Sequence, residues 1–283
     1  MKTLLVPVDF SETSRNALRF AIRMAAPYGA TIKLLHVQGI PMTDPYAEQA
    51  TAEVDALLEE RLHNRLQNLT AQVAADGGEW AELSGKVPVD TVVRTGFAAG
   101  EIARLAKDEQ ADWIVMGTRG AGGLGGALFG SVTAAVVSRA ERPVLAVPEG
   151  ARTGPVRHIA CALEEPLDSG PVLRSLDDLA VKLGADLAFV HVVEERDVVS
   201  SGTTTHTLAA FKDLQGKATA TAQAITGHDV EETLTTYCAE HDVDLLVMIR
   251  ERHPFLQKLI HRSMTRRLAL HAQIPLLVYP PRD

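Results

Sequence analysis

The sequence predicts an α/β protein built from two tandem copies of one doubly wound domain, and three observations carry that prediction. Short, β-rich apolar runs alternate with stretches of helical periodicity, the pattern of β-α-β units around a parallel sheet. The chain repeats itself: "GATIKLLHV" (residues 29–37) aligns without a gap on "GADLAFVHV" (184–192), so that His36 falls on His191 at a shift of 155 residues. Between the copies lies "PEGARTGPVRH", a Pro- and Gly-rich seam of the kind that separates domains. The expected domains are therefore residues 1–148 and 156–283.

In the first copy the strands are expected at "LLVPV", "IKLLHV", "VDTVV", "WIVMG" and "VLAV". Their near-continuous apolarity suits strands covered on both faces. After the first strand, "SRNALRFAIRMAAPYG" sets Leu18, Ile22 and Ala25 at helical spacing. A longer amphipathic helix is predicted from about residue 47 to 75, where Val54, Leu58, Leu62, Leu66 and Leu69 recur every three or four positions. "EIARLAKDEQ" supplies a further helix through Ile102 and Leu105.

In the second copy "RHIACALE" matches "KTLLVPVD" at the shift of 155, placing Glu164 on Asp9. "VDLLVMI" matches "ADWIVMG", and Pro275 matches Pro143, at a shift of only 132. The second copy is thus 23 residues shorter, and the loss falls between the second strand and the Thr-Gly pair at 95 or 226. The long helix should be cut there to a turn or two, near residues 208–214.

Composition bounds the function. The chain has 283 residues, 46% of them hydrophobic and 23% charged, enough to bury a sizeable core. A net charge of −8 argues against coating nucleic acid or lying on a membrane, so any anion site must be local. No apolar run approaches the ~20 residues of a membrane span, and Pro7 and Asp9 interrupt the start before a signal-length segment forms. Cys161 and Cys238 lack framework or zinc-ligand spacing and read as buried small hydrophobes. These features together give a cytoplasmic reading.

Chemistry concentrates in "GTRGAGGLGGALFGS" (117–131), which holds seven glycines. Within it "GAGGLG" fits the G-x-G-x-x-G dinucleotide pattern, but that fingerprint belongs after the first strand, with an acid at the tip of the next. Here it follows the fourth strand, and the next strand ends in Pro148. No Walker A loop is present. A second description fits the position better. Gly117 ends a buried strand at the edge where doubly wound sheets take ligands, and glycines let main-chain N–H groups approach an anion. "GSVTAAVVSRA" then starts a helix with Ser131 as the expected N-cap, so its positive end faces the same crevice.

The spacing Gly117-x-x-Gly120, nine residues, Gly130-Ser131-Val132-Thr133, followed by "PVLAVP", resembles the ATP-binding domain of the universal stress protein family. The opening "VPVDFSETS" and the "LLHV" strand resemble the same family, and the repeat extends the likeness over essentially the whole chain. The resemblance implies in each domain a five-stranded parallel sheet of order 3-2-1-4-5, with the two domains paired through their fifth strands about a pseudo-twofold axis. It further implies an adenine nucleotide, ATP with or without Mg²⁺, across the ends of the first and fourth strands. Pro7, Val8, Asp9 and Val37 would meet adenine and ribose, with Met116 and Gly117 beside them. Gly120, Gly130, Ser131, Val132 and Thr133 would hold the phosphates, and Arg119, by its charge and place, would touch them as well. Asp9 has a plainer reading too, as the cap of the following turn.

Carried onto the second copy, the motif becomes Ile249, Arg252, Arg262 and Ser263. Three glycines have become bulky residues, which implies a degenerate site. The basic stretch 250–267 that replaces the loop reads as a solvated face or as a surface for another anion or partner. No histidine pair has metal-ligand spacing, and His36 and His191 read as satisfied strand-end residues. The expected function is that of a stress protein whose first domain senses or stores ATP and regulates an unidentified protein partner, with a further homodimer as an option. A slow ATPase or nucleotidyl transferase, and a structural scaffold without nucleotide, are the alternatives.

Overall fold

A computed structural model describes residues 1–39, 52–119, 129–164, 166–167, 170–193, 202–213, 216–249 and 273–281. The chain divides into two compact units, with the boundary at Glu149 and Gly150. In the first unit the elements are β1 (Thr3–Pro7), α1 (Glu12–Ala25), β2 (Thr31–Gln38), α2 (Ala52–Ala75), α3 (Glu79–Lys86), β3 (Val89–Thr95), α4 (Ala98–Asp108), β4 (Trp113–Gly117), α5 (Ser131–Arg139) and β5 (Val144–Val147). Its strands are parallel in the order β3-β2-β1-β4-β5.

The second unit contains β6 (His158–Leu163), α6 (Gly170–Leu183), β7 (Asp186–Val193), α7 (Gly202–Asp213), β8 (Ala220–Thr226), α8 (Val230–Glu240), β9 (Leu245–Ile249) and β10 (Leu276–Tyr279). Its order, β8-β7-β6-β9-β10, is the same order again. Registers repeat with the sequence. Thr3↔Thr31 and Leu4↔Trp113 in the first unit become His158↔Asp186 and Ile159↔Leu245 in the second.

Local chemistry explains why α1 begins and ends where it does. Ser11, extended at φ −74° and ψ 163°, accepts a hydrogen bond from the Ser14 amide, and Glu12 lies at the positive end of the helix. Ala17, Leu18, Ala21, Ile22 and Met24 are fully buried on the sheet. A 3₁₀ turn, Ala26–Tyr28, with Pro27 near its start and the left-handed Gly29 (φ 60°) at its end, turns the chain into β2.

The outer face of α1 is tied down by arginines four residues apart. Arg15 donates to Gln72 (2.9 Å), Arg19 to Asp76 (2.6 Å), and Arg23 donates to both carboxylate oxygens of Glu79 (2.9 Å each) beneath the Trp80 ring. α2 and α3 are thereby fixed on α1. In the second copy Gly170 and Asp178 stand at the positions of Arg15 and Arg23, α7 is half as long as α2, and no counterpart of α3 occurs among the described residues. The position of Arg19 keeps its arginine, as Arg174, so two of the three arginines are replaced in the copy whose crossover helix is short. α3 lies beyond the predicted end of the long helix and was not expected, and α7, at 12 residues, exceeds the turn or two expected. Its "GTTTHT" start has weak helix propensity, yet Thr204 and Thr207 are buried, so packing overrides propensity there.

Several contacts recur in both copies. Asp112 Oδ2 accepts the Lys2 and Thr3 amides (2.5 and 2.9 Å), as Asp244 Oδ2 accepts those of Arg157 and His158 (2.8 and 3.0 Å). The Nδ1 of His36 donates to the Val8 carbonyl (2.9 Å), and that of His191 donates to Leu163 (2.8 Å). A carbonyl only accepts, so Nδ1 carries the proton in both. One core exchange conserves volume. Phe20 and Val147, both buried in the first unit, are replaced by Ser175 and Tyr279, whose hydroxyls lie 2.8 Å apart. Burial holds the Tyr279 phenol above its ordinary range and hence neutral. Burial likewise pushes the Cys238 thiol up to about 12, so it packs and does not react. No helix among the described residues is long and apolar enough to cross a membrane.

The Arg23 fork lowers the pKa of Glu79, chiefly through its hydrogen bond. Glu79 is half exposed, so solvent screens much of that energy, and Arg23→Met should cost about 1–2 kcal/mol at pH 7. The Glu79 contribution is present above the ordinary carboxylate range and is lost as pH falls through the lowered folded value. Urea titrations of wild type and variant should therefore differ most at pH 7, and the difference should shrink as pH falls through the lowered folded value of Glu79.

Candidate functional site

The strand order reverses direction between β1 and β4, which makes the carboxyl ends of these strands the ligand crevice of this fold. β1 and β4 pair at Leu4↔Trp113 and Leu5↔Ile114, short of their ends at Pro7 and Gly117. On the β1 side, Val8 is buried, its amide donating to Leu35 (2.8 Å) and its carbonyl accepting from His36. Asp9 follows, half-buried, with Oδ1 accepting from both the amide (3.1 Å) and the hydroxyl (2.6 Å) of Ser11. The plainer reading of Asp9 as the acid that forms the turn into α1 is thus realised. Val37 is half-buried on β2 opposite Arg94.

On the β4 side Met116 is buried, and Gly117 is packed against α1 so closely that a Cβ there would lie 2.8 Å from Thr13 Cγ2 and 3.1 Å from the Thr13 carbonyl carbon. Glycine at 117 therefore serves close packing of the first turn of α1 on the strand end. Two hydrogen bonds close the base of the loop that follows. The Gly130 amide donates to the Thr118 carbonyl (2.7 Å), and the Thr133 hydroxyl donates to the Gly117 carbonyl (2.8 Å). Thr133 is buried, so its hydroxyl clamps α5 to β4.

This changes the expected capping. Gly130, at φ −66° and ψ 163°, is the N-cap of α5, and Ser131 is the first helical residue. As a glycine, Gly130 offers no side-chain cap, and none is made among the described residues. The Gly130 amide is committed to Thr118, which leaves the amides of Ser131, Val132 and Thr133 as the first-turn donors without an intrahelical acceptor. Ser131 and Val132 are exposed, as is Arg119 at the other end of the loop. Gly120 lies outside the described residues.

In the second unit, Ile249 stands opposite Tyr279 as Gly117 stands opposite Val147, so the register confirms the alignment. A branched side chain occupies the place where the first unit needs a bare backbone. Glu164 is exposed, while Arg252, Arg262, Ser263 and the basic stretch 250–267 lie outside the described residues. Among the described residues no group of three or more His, Cys, Asp or Glu is placed to hold a metal ion.

The sequence profile of the Universal stress protein family matches residues 1–148 and again residues 155–280. The chain belongs to the universal stress protein family. A Universal stress protein of Methanocaldococcus jannaschii is 32% identical over 147 residues, covering 52% of this chain and 81% of that protein. Another from Thermus aquaticus is 33% identical over 149 residues, covering 52% of this chain and 98% of its own. A universal stress protein from Archaeoglobus fulgidus DSM 4304 shares the fold over 98% of both chains, with a TM-score of 0.67 at 18% identity. This universal stress protein therefore carries two family domains in tandem.

The structure gathers Pro7, Val8, Asp9, Met116, Gly117, Gly130, Ser131, Val132 and Thr133 around the ends of β1 and β4, with Val37 on the neighbouring strand. Sequence reasoning missed Thr13 and Thr118, because a helix threonine packed on a strand end and a main-chain carbonyl carry no motif. Gly117→Ala should cost about 1–3 kcal/mol by overpacking. Adding Thr13→Ser, which removes the nearest methyl, should recover part of the loss in a denaturant titration, whereas equal stability of wild type and Gly117→Ala would contradict this packing.

Proposed function

We propose that the first unit binds ATP at the carboxyl ends of β1 and β4, and that the chain is a nucleotide-responsive regulator in the cytoplasm acting on a protein partner. One observation carries the reading: α5 begins at the switch point with glycine as its N-cap, its first-turn amides on the exposed Ser131 and Val132 and the buried Thr133, beside the Gly130 and Thr133 hydrogen bonds to the end of β4. Such a helix start favours a phosphate through both its N–H groups and its dipole. Ser131, Val132, Thr133, Gly120 and Arg119 would hold the phosphates. Asp9, Val8, Pro7 and Val37 would take ribose and adenine, with Met116 and Gly117 lining the floor. When bound, ATP supplies the charge and the bulk that this chain's donors position. The second domain, residues 156–283, serves on this reading as a degenerate, partner-facing unit.

Native mass spectrometry of the untreated protein should find one adenine nucleotide per chain. Two per chain, or none together with no uptake of ATP in the presence or absence of Mg²⁺, would contradict the assignment. Asp9→Ala should weaken ATP binding about tenfold by removing a charged hydrogen-bond acceptor. Steady phosphate release well above buffer, abolished by that substitution, would make the protein an enzyme instead.

A further inference from the structure

Phe10, the residue directly after Asp9, has φ 65°. A bulky residue in the left-handed region is strained, and such strain persists only where the surroundings hold it. Among the described residues the other two non-glycine residues with positive φ, Gln110 and Asp242, occupy equivalent places after α4 and α8. They are repeated helix ends. Phe10 belongs to neither helix end, and it stands at the mouth of the candidate site.

Two groups hold its ring. His36, at the end of β2, lies 4.7 Å away between ring centroids, and the Arg65 guanidinium, reaching over from α2, lies 3.9 Å above the ring. The Phe10 contact is the one polar engagement of Arg65 among the described residues, and Arg65 lies on the exposed face of α2, between the buried Leu62 and Leu66. The second unit ties the same two elements differently. There Thr207 of α7, fully buried, accepts the Leu167 amide in the segment after β6 (2.9 Å). One unit joins its crossover helix to the loop after its first strand by a half-exposed ring contact, the other by a buried hydrogen bond. A cation over an aromatic face, lying at the surface, is weak and readily remade.

We propose that Phe10 and Arg65 are positioning residues of the nucleotide site, forming a latch through which α2 sets the Asp9 turn and through which ligand at that turn orders α2. The proposal rests on the nucleotide reading above. The ring contacts hold Phe10 in its left-handed conformation. That conformation lets the chain turn so that the Asp9 carboxylate meets Ser11 at the crevice. Loosening the ring lets the turn relax, and ATP that requires the turn restores the contact with α2. The unit with the degenerate motif has the short crossover helix and the static tie, so the reversible one accompanies the site.

The test is a double-mutant cycle on ATP affinity in the full chain, read by calorimetry, with hydrogen exchange of residues 56–75 followed in parallel. Arg65→Gln should weaken ATP binding about threefold to fivefold, and Phe10→Ala about tenfold. Phe10→Ala/Arg65→Gln should be no weaker than Phe10→Ala, because the two side chains act as one contact. Arg65→Lys should retain most of the affinity. ATP should slow exchange across α2 in wild type and not in Arg65→Gln, an exposed variant whose unfolding midpoint stays near wild type. Wild-type protein that binds ATP while the variants bind equally well, or while their losses multiply, would overturn the latch and leave the site. Wild-type protein that takes up no ATP would remove the site and the latch with it.

Discussion

The approach of α1 to the end of β4 is the constraint on which the first unit depends. With no Cβ at Gly117, Thr13 comes to where that atom would stand, and the first turn of the helix sits directly on the strand tip. This brings the Asp9 turn, which begins α1, beside the segment that begins α5. Thr133 then reaches back to the Gly117 carbonyl and Gly130 to Thr118, so strand end and helix start form one hydrogen-bonded frame. The frame is stiff where it meets the sheet and presents main-chain donors where it meets solvent. A rigid element is what a binding site requires, since each donor ordered beforehand is an entropy cost not charged to the ligand.

The two copies separate what the fold needs from what a site needs. Contacts that start and space the strands, through Asp112 and Asp244 or His36 and His191, persist in both units with partners at equivalent positions. Buried volume persists as well, redistributed between Phe20 with Val147 and Ser175 with Tyr279. What differs lies at the carboxyl end of the sheet: Gly117 against Ile249, a long crossover helix against a short one, an exposed ring contact against a buried hydrogen bond. Duplication preserved the scaffold and let one crevice change.

Much of this was legible in the sequence, for physical reasons. Apolar runs such as "WIVMG" could only be strands covered on both faces, and β4 is buried at every residue. The gapless match at His36 and His191 predicted a shared register, which the strand pairings reproduce. Other features were not legible. α3 follows Gly77 and Gly78, runs through Ser84 and Gly85 and has no buried residue, so what holds it is Glu79 and Trp80 gripping Arg23 of α1. α7 carries threonines that propensity counts against and burial retains. Within the site, spacing located Gly117 and Gly130 but not their work. One makes room for Thr13 and the other caps α5 and closes the loop, duties that depend on atoms distant in sequence. Phe10 gave no signal at all, because its positive φ carries no motif and its ring contact is with Arg65, some fifty positions away.

On the proposed reading, anion recognition falls to main-chain donors at the start of one helix in one half of the chain. Amide resonances of Ser131, Val132 and Thr133, followed by heteronuclear NMR as ATP is added, test that claim most directly. Large shifts at these three amides that saturate at one equivalent, with the amides of residues 156–249 unmoved, are the predicted result. Shifts confined to the second unit, or none at the start of α5, would contradict it.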